Sequence, residues 1–263
     1  MIVSRSAELA RLDDVLLSLG RGQGCALVVH GEAGIGKTTL LDALIERARD
    51  TVIVLRACGA ETEVELAFSA LADLLHPVLD ELDALPPLQA AALRGALTLG
   101  PPVPGDRLAV CVATLGVLRS AASYRPVLVV LDDVQWVDAS SRECVEYVAR
   151  RAGGRLAIVL AARDPWNAEA VGLPELAVAP LDDAEAIELL RRRAPGLAPP
   201  VAAAITEAAA GNPLALVELP TTLTAEQRAG VAASSCRWRR AVASSTRLPP
   251  ASIRSSPRRG RRS

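Results

Sequence analysis

The chain has 263 residues, of which 51% are hydrophobic and 2% aromatic, and its formal net charge at pH 7 is −1. This composition predicts an aliphatic core, and five dispersed cysteines without a C-x-x-C pair argue against a disulfide scaffold or a cysteine-based metal site. Because acidic residues occupy the N-terminus and no apolar run is long enough to span a membrane, we expect a soluble cytoplasmic protein without membrane contact.

The first third of the chain alternates helix and strand patterns. Residues 3–19 place leucines on one side of a helix, and residues 26–30 form a short apolar strand. Helical spacing resumes after position 39, and residues 51–57 are rich in the β-branched side chains typical of strands. This order predicts a strand–loop–helix unit around position 35.

The only lysine of the chain, Lys37, lies in that loop, in the sequence Gly31-Glu32-Ala33-Gly34-Ile35-Gly36-Lys37-Thr38. This matches the phosphate-loop pattern G-x-x-x-x-G-K-[ST], whose glycines let backbone N–H groups face phosphate oxygens. We predict that Lys37 binds the β- and γ-phosphates of ATP and that Thr38 binds Mg²⁺. Thr39 is expected to be a helix N-terminal residue or a further phosphate contact. The alternative is a glycine turn with a chance lysine, which the flanking strand and helix disfavour.

Residues 58–126 are helical in pattern and predict an insertion between two strands. One element covers residues 64–82, a second follows Pro86-Pro87, and a third follows Gly105. The third is expected to present one apolar face, formed by Leu108, Cys111, Val112, Leu115 and Leu118.

A buried strand is predicted next, because residues 127–131 form a continuous apolar run that ends in Asp132-Asp133. Two carboxylates at the carboxyl end of such a strand suit magnesium chemistry. Asp132 is predicted to hold Mg²⁺ and Asp133 to orient or deprotonate the attacking water. A solvated strand end is the alternative, and the preceding apolar strand favours the functional interpretation.

A capping-box pattern at Ser140-Ser141-Arg142-Glu143 predicts the start of the next helix.

Residues 156–162 form another apolar strand, which ends in Arg163-Asp164. Arg163 is placed to sense the γ-phosphate, and a surface arginine or an ion pair with Asp164 are equal alternatives.

Strands that alternate with helices predict an α/β fold, here a P-loop NTPase with a parallel sheet covered by helices on both faces. We predict an ATPase core over residues 1–180 and a small helical lid over residues 181–230, with Asp182 and Glu185 in cap positions.

The tail, residues 231–263, differs in composition from the rest of the chain. It contains nine of the 29 basic residues and none of the 30 acidic ones, so residues 1–230 carry a net charge of −10. We expect this tail to be disordered, because it has no apolar period. It fits a nucleic-acid-binding arm, a disordered linker, or an out-of-frame translation of a gene whose true continuation is lost, and we favour the last.

Several of these segments together resemble a known module. They are residues 31–38, residues 127–133 followed by Gln135-Trp136 and Asp138, Ala161-Ala162-Arg163-Asp164, and residues 210–216. They are similar to the AAA-like nucleotide-binding module of large LuxR-type transcriptional regulators, members of the STAND class of ATPases, over about residues 3–228. The resemblance implies that Asp132 and Asp133 are the magnesium and water-activating carboxylates. It also implies that Arg163 is a sensor and Pro213 an adenine-side contact. Ser4-Arg5-Ser6 replaces the usual Gly-Arg-Glu opening.

The resemblance implies a slowly hydrolysing ATP/ADP switch that self-associates in its ATP state. The family continues into a winged-helix segment, helical repeats and a DNA-binding helix-turn-helix, so we expect DNA binding only through regions missing from this chain. Two other functions remain open: a stand-alone P-loop phosphotransferase, and a nucleic-acid-binding protein that acts through the basic tail.

Overall fold

A computed structural model describes residues 4–101, 107–165 and 172–230. The chain divides into two compact units, residues 1–179 and 180–263. The predictions for residues 231–263 lie outside the described residues, and so does Gly105, after which the third insertion element is predicted. No helix in the described ranges is long and apolar enough to cross a membrane.

The first unit contains a five-stranded parallel sheet in the order β2-β3-β4-β1-β5. The strands are β1 Ala26–Gly31, β2 Ile53–Cys58, β3 Val127–Asp132, β4 Leu156–Arg163 and β5 Glu175–Ala177. Register places Cys58 beside Asp132 and Gly31 beside Arg163, so the predicted site residues lie at the same edge of the sheet. The carboxyl edge of an open parallel sheet is where such folds bind ligands.

Helices cover both faces of this sheet, as the sequence predicts. They are α1 Ser6–Gly20, α2 Lys37–Ala48, α3 Ser69–Leu75, α4 Pro87–Ala96, α5 Arg107–Tyr124 and α6 Ala139–Ala149. Successive residues of β3 alternate between two cores: Val127, Val129 and Leu131 pack with the α3–α6 side, whereas Leu128 and Val130 pack with α1 and α2. Burial on both faces explains why this strand reads as one continuous apolar run.

The insertion differs from the prediction in two places. Residues 64–82 do not form one helix, because Phe68 adopts a left-handed backbone conformation (φ +63°) before α3, and Pro77 lies in the first turn of a separate 3₁₀ segment, His76–Ala84. The apolar face predicted for the third helix is confirmed only in part. Cys111, Leu115 and Leu118 are buried, but Leu108 is 56% exposed, and α5 also buries Val110, Ala113 and Val117 on its other sides.

The described part of the second unit is helical, with α7 Asp183–Arg193, α8 Pro199–Ala209, α9 Pro213–Glu218 and α10 Ala225–Arg228. The predicted cap of α7 is confirmed: the Asp182 carboxylate accepts a hydrogen bond from Glu185 N, and the Glu185 carboxylate accepts one from Asp182 N. Buried side chains from α7, α8 and α9, among them Leu190, Ile205 and Leu216, form the core of this unit.

Candidate nucleotide-binding site

The predicted phosphate loop connects β1 to α2. Gly36 is the N-cap of α2 and has φ +103°, a conformation that side chains with a Cβ atom rarely adopt. Gly31 needs to be small for another reason, because a Cβ atom there would lie 2.8 Å from Val178 O. Within the loop, Ile35 is buried in the core on the α1 and α2 side and anchors the turn, whereas Glu32, Ala33, Thr38 and Thr39 are exposed around it. Gly34 has φ +76°.

Lys37 folds back over the loop. Its Nζ donates hydrogen bonds to Gly31 O and Glu32 O, each at 2.8 Å, and the residue is 6% exposed. Burial lowers the pKa of the Lys37 ammonium, an effect that Asp133 opposes and Arg163 reinforces. The cation therefore lies among the charged groups at the ends of β3 and β4, over the backbone that is predicted to bind phosphate.

Asp132 is buried at the end of β3, with 2% of its surface exposed. Its Oδ1 accepts a hydrogen bond from Asp133 N at 2.9 Å. Burial raises the pKa of Asp132, although the nearby Thr38 hydroxyl lowers it. Thr38 and Asp132 thus bring two oxygen ligands together beside the phosphate loop. This set fits Mg²⁺, which commonly takes one or two carboxylates together with substrate phosphates.

Asp133 begins the turn after β3 in a left-handed conformation (φ +48°, ψ 50°), which is uncommon for a residue other than glycine. Its Oδ1 accepts a hydrogen bond from Gln135 Nε2 at 2.6 Å and lies 3.4 Å from Arg163 Nε. Of the two alternatives for Arg163, the ion pair with Asp164 is not observed, because the Arg163 guanidinium faces Asp133. The Arg163 side chain is 31% exposed, so the surface arginine stays an alternative and the sensor role stays a prediction.

Asp164 instead pairs with His30, the last residue before the phosphate loop. His30 Nδ1 lies 2.8 Å from Asp164 Oδ1, and His30 Nε2 lies 3.5 Å from Glu175 Oε2 on β5. Sequence reasoning assigned no role to His30. Its position directly before Gly31 is the one sequence feature that could have drawn attention to it.

Asp138 fixes the far end of the turn that carries Asp133. It is 2% exposed and accepts hydrogen bonds from Ser141 N at 2.9 Å and from Phe68 N at 2.8 Å. Asp138 is therefore the N-cap of α6, and the predicted capping box at Ser140 is wrong. The carboxylate of Asp138 also accepts hydrogen bonds from Phe68 N and Ala70 N at the start of α3. Ser141 adds a second link, since its Oγ accepts a hydrogen bond from Leu71 N.

Arg5 is held against the phosphate loop by its guanidinium. Nη2 donates to Ile35 O at 3.2 Å, while Nη1 donates to Ala179 O at 2.7 Å and to Glu8 at 2.8 Å. The unusual Ser4-Arg5-Ser6 opening thus still provides an arginine that contacts the loop backbone.

In the second unit, Pro213 occupies the first turn of α9, and the Asn212 side chain caps that helix. The adenine-side role of Pro213 stays a prediction.

Residues 2–160 match the AAA ATPase domain family. Because this match covers more than half of the chain, the chain belongs to that family. Membership implies nucleotide binding. No curated protein matches the chain in sequence.

Solved structures share the fold at low sequence identity. A STAND protein with a tetratricopeptide repeat sensor from Pyrococcus horikoshii is 18% identical, with a TM-score of 0.50 over 82% of this chain and 29% of that chain. The Orc1 protein of Aeropyrum pernix, solved in complex with DNA, is 17% identical, with a TM-score of 0.53 over 94% of this chain and 66% of that one. Drosophila ORC bound to DNA is 12% identical, with a TM-score of 0.57 and coverages of 92% and 60%. This chain therefore spans less than a third of the STAND protein and about two thirds or less of the other two.

Proposed function

We propose that this AAA ATPase domain binds Mg-ATP, hydrolyses it slowly, and serves as the switch module of a signal-responsive LuxR-type transcriptional regulator. The observation that carries the proposal is the convergence of Lys37, Thr38, Asp132, Asp133 and Arg163 at one edge of the sheet, around a loop whose backbone conformation requires glycine. The regulator class is supported by the motif resemblance and by the fold shared with a STAND protein.

The residues divide the chemistry among them. Thr38 and Asp132 hold Mg²⁺, which neutralises charge on the phosphates when it is bound. Lys37 exchanges its bonds to the loop carbonyls for bonds to phosphate oxygens, and the N-terminus of α2 adds its partial positive charge. Asp133 accepts a hydrogen bond from the attacking water and orients it, and Arg163 stabilises charge on the γ-phosphate. In this proposal DNA is bound by further segments of the regulator, and the ATP state self-associates.

The test replaces Lys37 with alanine. Loss of charge-assisted bonds worth about 1.5 to 3 kcal/mol each should weaken Mg-ATP binding at least about tenfold in calorimetry. Arg47→Ala, at an exposed cation near the end of α2 that pairs with Asp13, is the matched control and should bind normally. Unchanged affinity in Lys37→Ala contradicts the site.

Phosphate release by the wild type tests hydrolysis. If turnover of ATP depends on an added acceptor, the result would favour a phosphotransferase.

A further inference from the structure

We propose that Gln135 is a positioning residue for hydrolysis, which holds the Asp133 carboxylate in the orientation that water activation requires. This inference rests on the proposed ATPase function. Gln135 lies at the centre of the 3₁₀ turn Val134–Trp136, between the end of β3 and the N-cap of α6, and its side chain is partly buried. Nothing in the phosphate-loop pattern points to it.

Two hydrogen bonds fix the orientation of the Gln135 amide. Nε2 donates to Asp133 Oδ1 at 2.6 Å, and Oε1 accepts from Arg163 N at 3.1 Å. If the amide were rotated by 180°, its oxygen would face the Asp133 carboxylate and its NH₂ group would face the Arg163 N–H, which are both repulsive pairs. Both polar atoms of the Gln135 amide are therefore hydrogen-bonded, and its NH₂ group faces the Asp133 carboxylate.

This arrangement gives Asp133 a fixed direction. The contacts from Gln135 Nε2 and Arg163 Nε are both made to Oδ1. Oδ2 is thus the oxygen that we assign to the attacking water. Misplacement of a catalytic group by about 1 Å can cost roughly 100-fold in rate, so a contact that selects one side-chain rotamer can govern turnover without contacting the nucleotide.

The second bond connects the acid to the phosphate loop through the sheet. Arg163 is the last residue of β4 and pairs in register with Gly31, the first residue of the loop. The Gln135 side chain therefore bridges from Asp133 to the strand that borders the loop. A side chain that only stabilised the turn would have no need for an acceptor directed across to β4.

Two substitutions separate these bonds. Gln135→Leu removes both, whereas Gln135→Glu keeps an oxygen for the Arg163 N–H and replaces the donor to Asp133 with a carboxylate. We expect both variants to bind Mg-ATP within about twofold of the wild type and to lose roughly 10- to 100-fold in kcat. Gln23→Leu, at an exposed glutamine between α1 and β1, is the matched control and should hydrolyse normally. Wild-type kcat in Gln135→Glu overturns the inference.

A double variant tests whether Gln135 acts through Asp133. Because Asn at position 133 already removes the water-activating group, Asp133→Asn/Gln135→Leu should hydrolyse no more slowly than Asp133→Asn alone. Losses that multiply would mean that Gln135 acts independently, and the inference would fail.

The nucleotide-free protein provides a readout that does not depend on hydrolysis. We expect scalar couplings measured by NMR to show one χ1 rotamer for Asp133 in the wild type and rotamer averaging in Gln135→Leu and Gln135→Glu. Hydrogen exchange at the Arg163 amide should accelerate at least about tenfold in Gln135→Leu and much less in Gln135→Glu. A single unchanged rotamer in both variants refutes the positioning role. If the wild type releases no phosphate, the proposed ATPase function fails, and the rotamer result still decides the role of Gln135.

Discussion

The stability of the first unit should depend strongly on Asp138, a single buried carboxylate. Its side chain accepts short hydrogen bonds from Phe68 N and Ser141 N, and longer ones, at 3.4 Å, from Ala70 N and Ser69 Oγ. It therefore caps α6 and also satisfies backbone donors at the start of α3. Substitution with alanine would leave these buried and partly buried donors without their acceptor.

The magnitude follows from the number of bonds. An exposed N-cap is worth about 1 kcal/mol, whereas hydrogen bonds to a charged group contribute about 1.5 to 3 kcal/mol each. With two short bonds to Asp138, we expect Asp138→Ala to lower the free energy of unfolding by about 3 to 6 kcal/mol. Asp182→Ala, at the exposed N-cap of α7, is the matched control and should cost about 1 kcal/mol. Urea denaturation measures both, and equal losses would refute the bridging role of Asp138.

The pH dependence adds a second check. Burial by itself raises the pKa of Asp138, but hydrogen bonds from Ser141, Phe68 and Ala70 outweigh it and leave the pKa lowered. The stabilisation is therefore fully present above the unfolded-state pKa of about 3.9 and is lost as the pH falls through the lower folded-state pKa. Asp138→Asn should be less stable than the wild type by a constant amount between about pH 5 and pH 8. This difference should shrink below about pH 4.

Three further predictions concern the site and the tail. Asp133→Asn should bind Mg-ATP normally and lose hydrolysis, because it removes an interaction made chiefly in the transition state; full phosphate release would contradict this. Asp132→Asn should weaken the Mg²⁺ dependence of ATP binding and raise the melting temperature of the nucleotide-free protein at pH 8, because it removes a buried charge. Truncation after Gly230 should leave ATP affinity unchanged in calorimetry and reduce salt-sensitive binding to nonspecific DNA, because it removes nine arginines.

Local patterns predicted the parts of the fold that depend on local interactions. The apolar run before Asp132 and the cap pair of Asp182 with Glu185 each lie within a few residues, and the structure confirms the strand and the cap. The three-residue strand β5 was not predicted, because it is too short to show a period and gains its order from pairing with β1. The break at Phe68 was missed for a related reason, since its amide is bound by Asp138, 70 residues away.

The same limit applies to the side chains of the site. The glycines, Lys37 and the acidic pair were found because the phosphate loop and the strand end have characteristic sequences. The partner of Arg163 was not identified, because Asp164 is its neighbour in sequence, whereas Asp133 is its neighbour across the sheet edge. Gln135 belongs to a segment that carries the family resemblance, but no sequence pattern indicates its role, since that role depends on bonds to two residues on different sides of the turn.

The electrostatics of the candidate site indicate that its two buried charges cost stability. Burial is the largest cause of both the lowered pKa of Lys37 and the raised pKa of Asp132, so each charge is desolvated without full compensation by its neighbours. In the proposed function a triphosphate would compensate the lysine, and Mg²⁺ would compensate the aspartate. Because the triphosphate and the metal ion also attract each other, they should bind with positive cooperativity. Removal of either protein charge should weaken binding of the ligand that it faces.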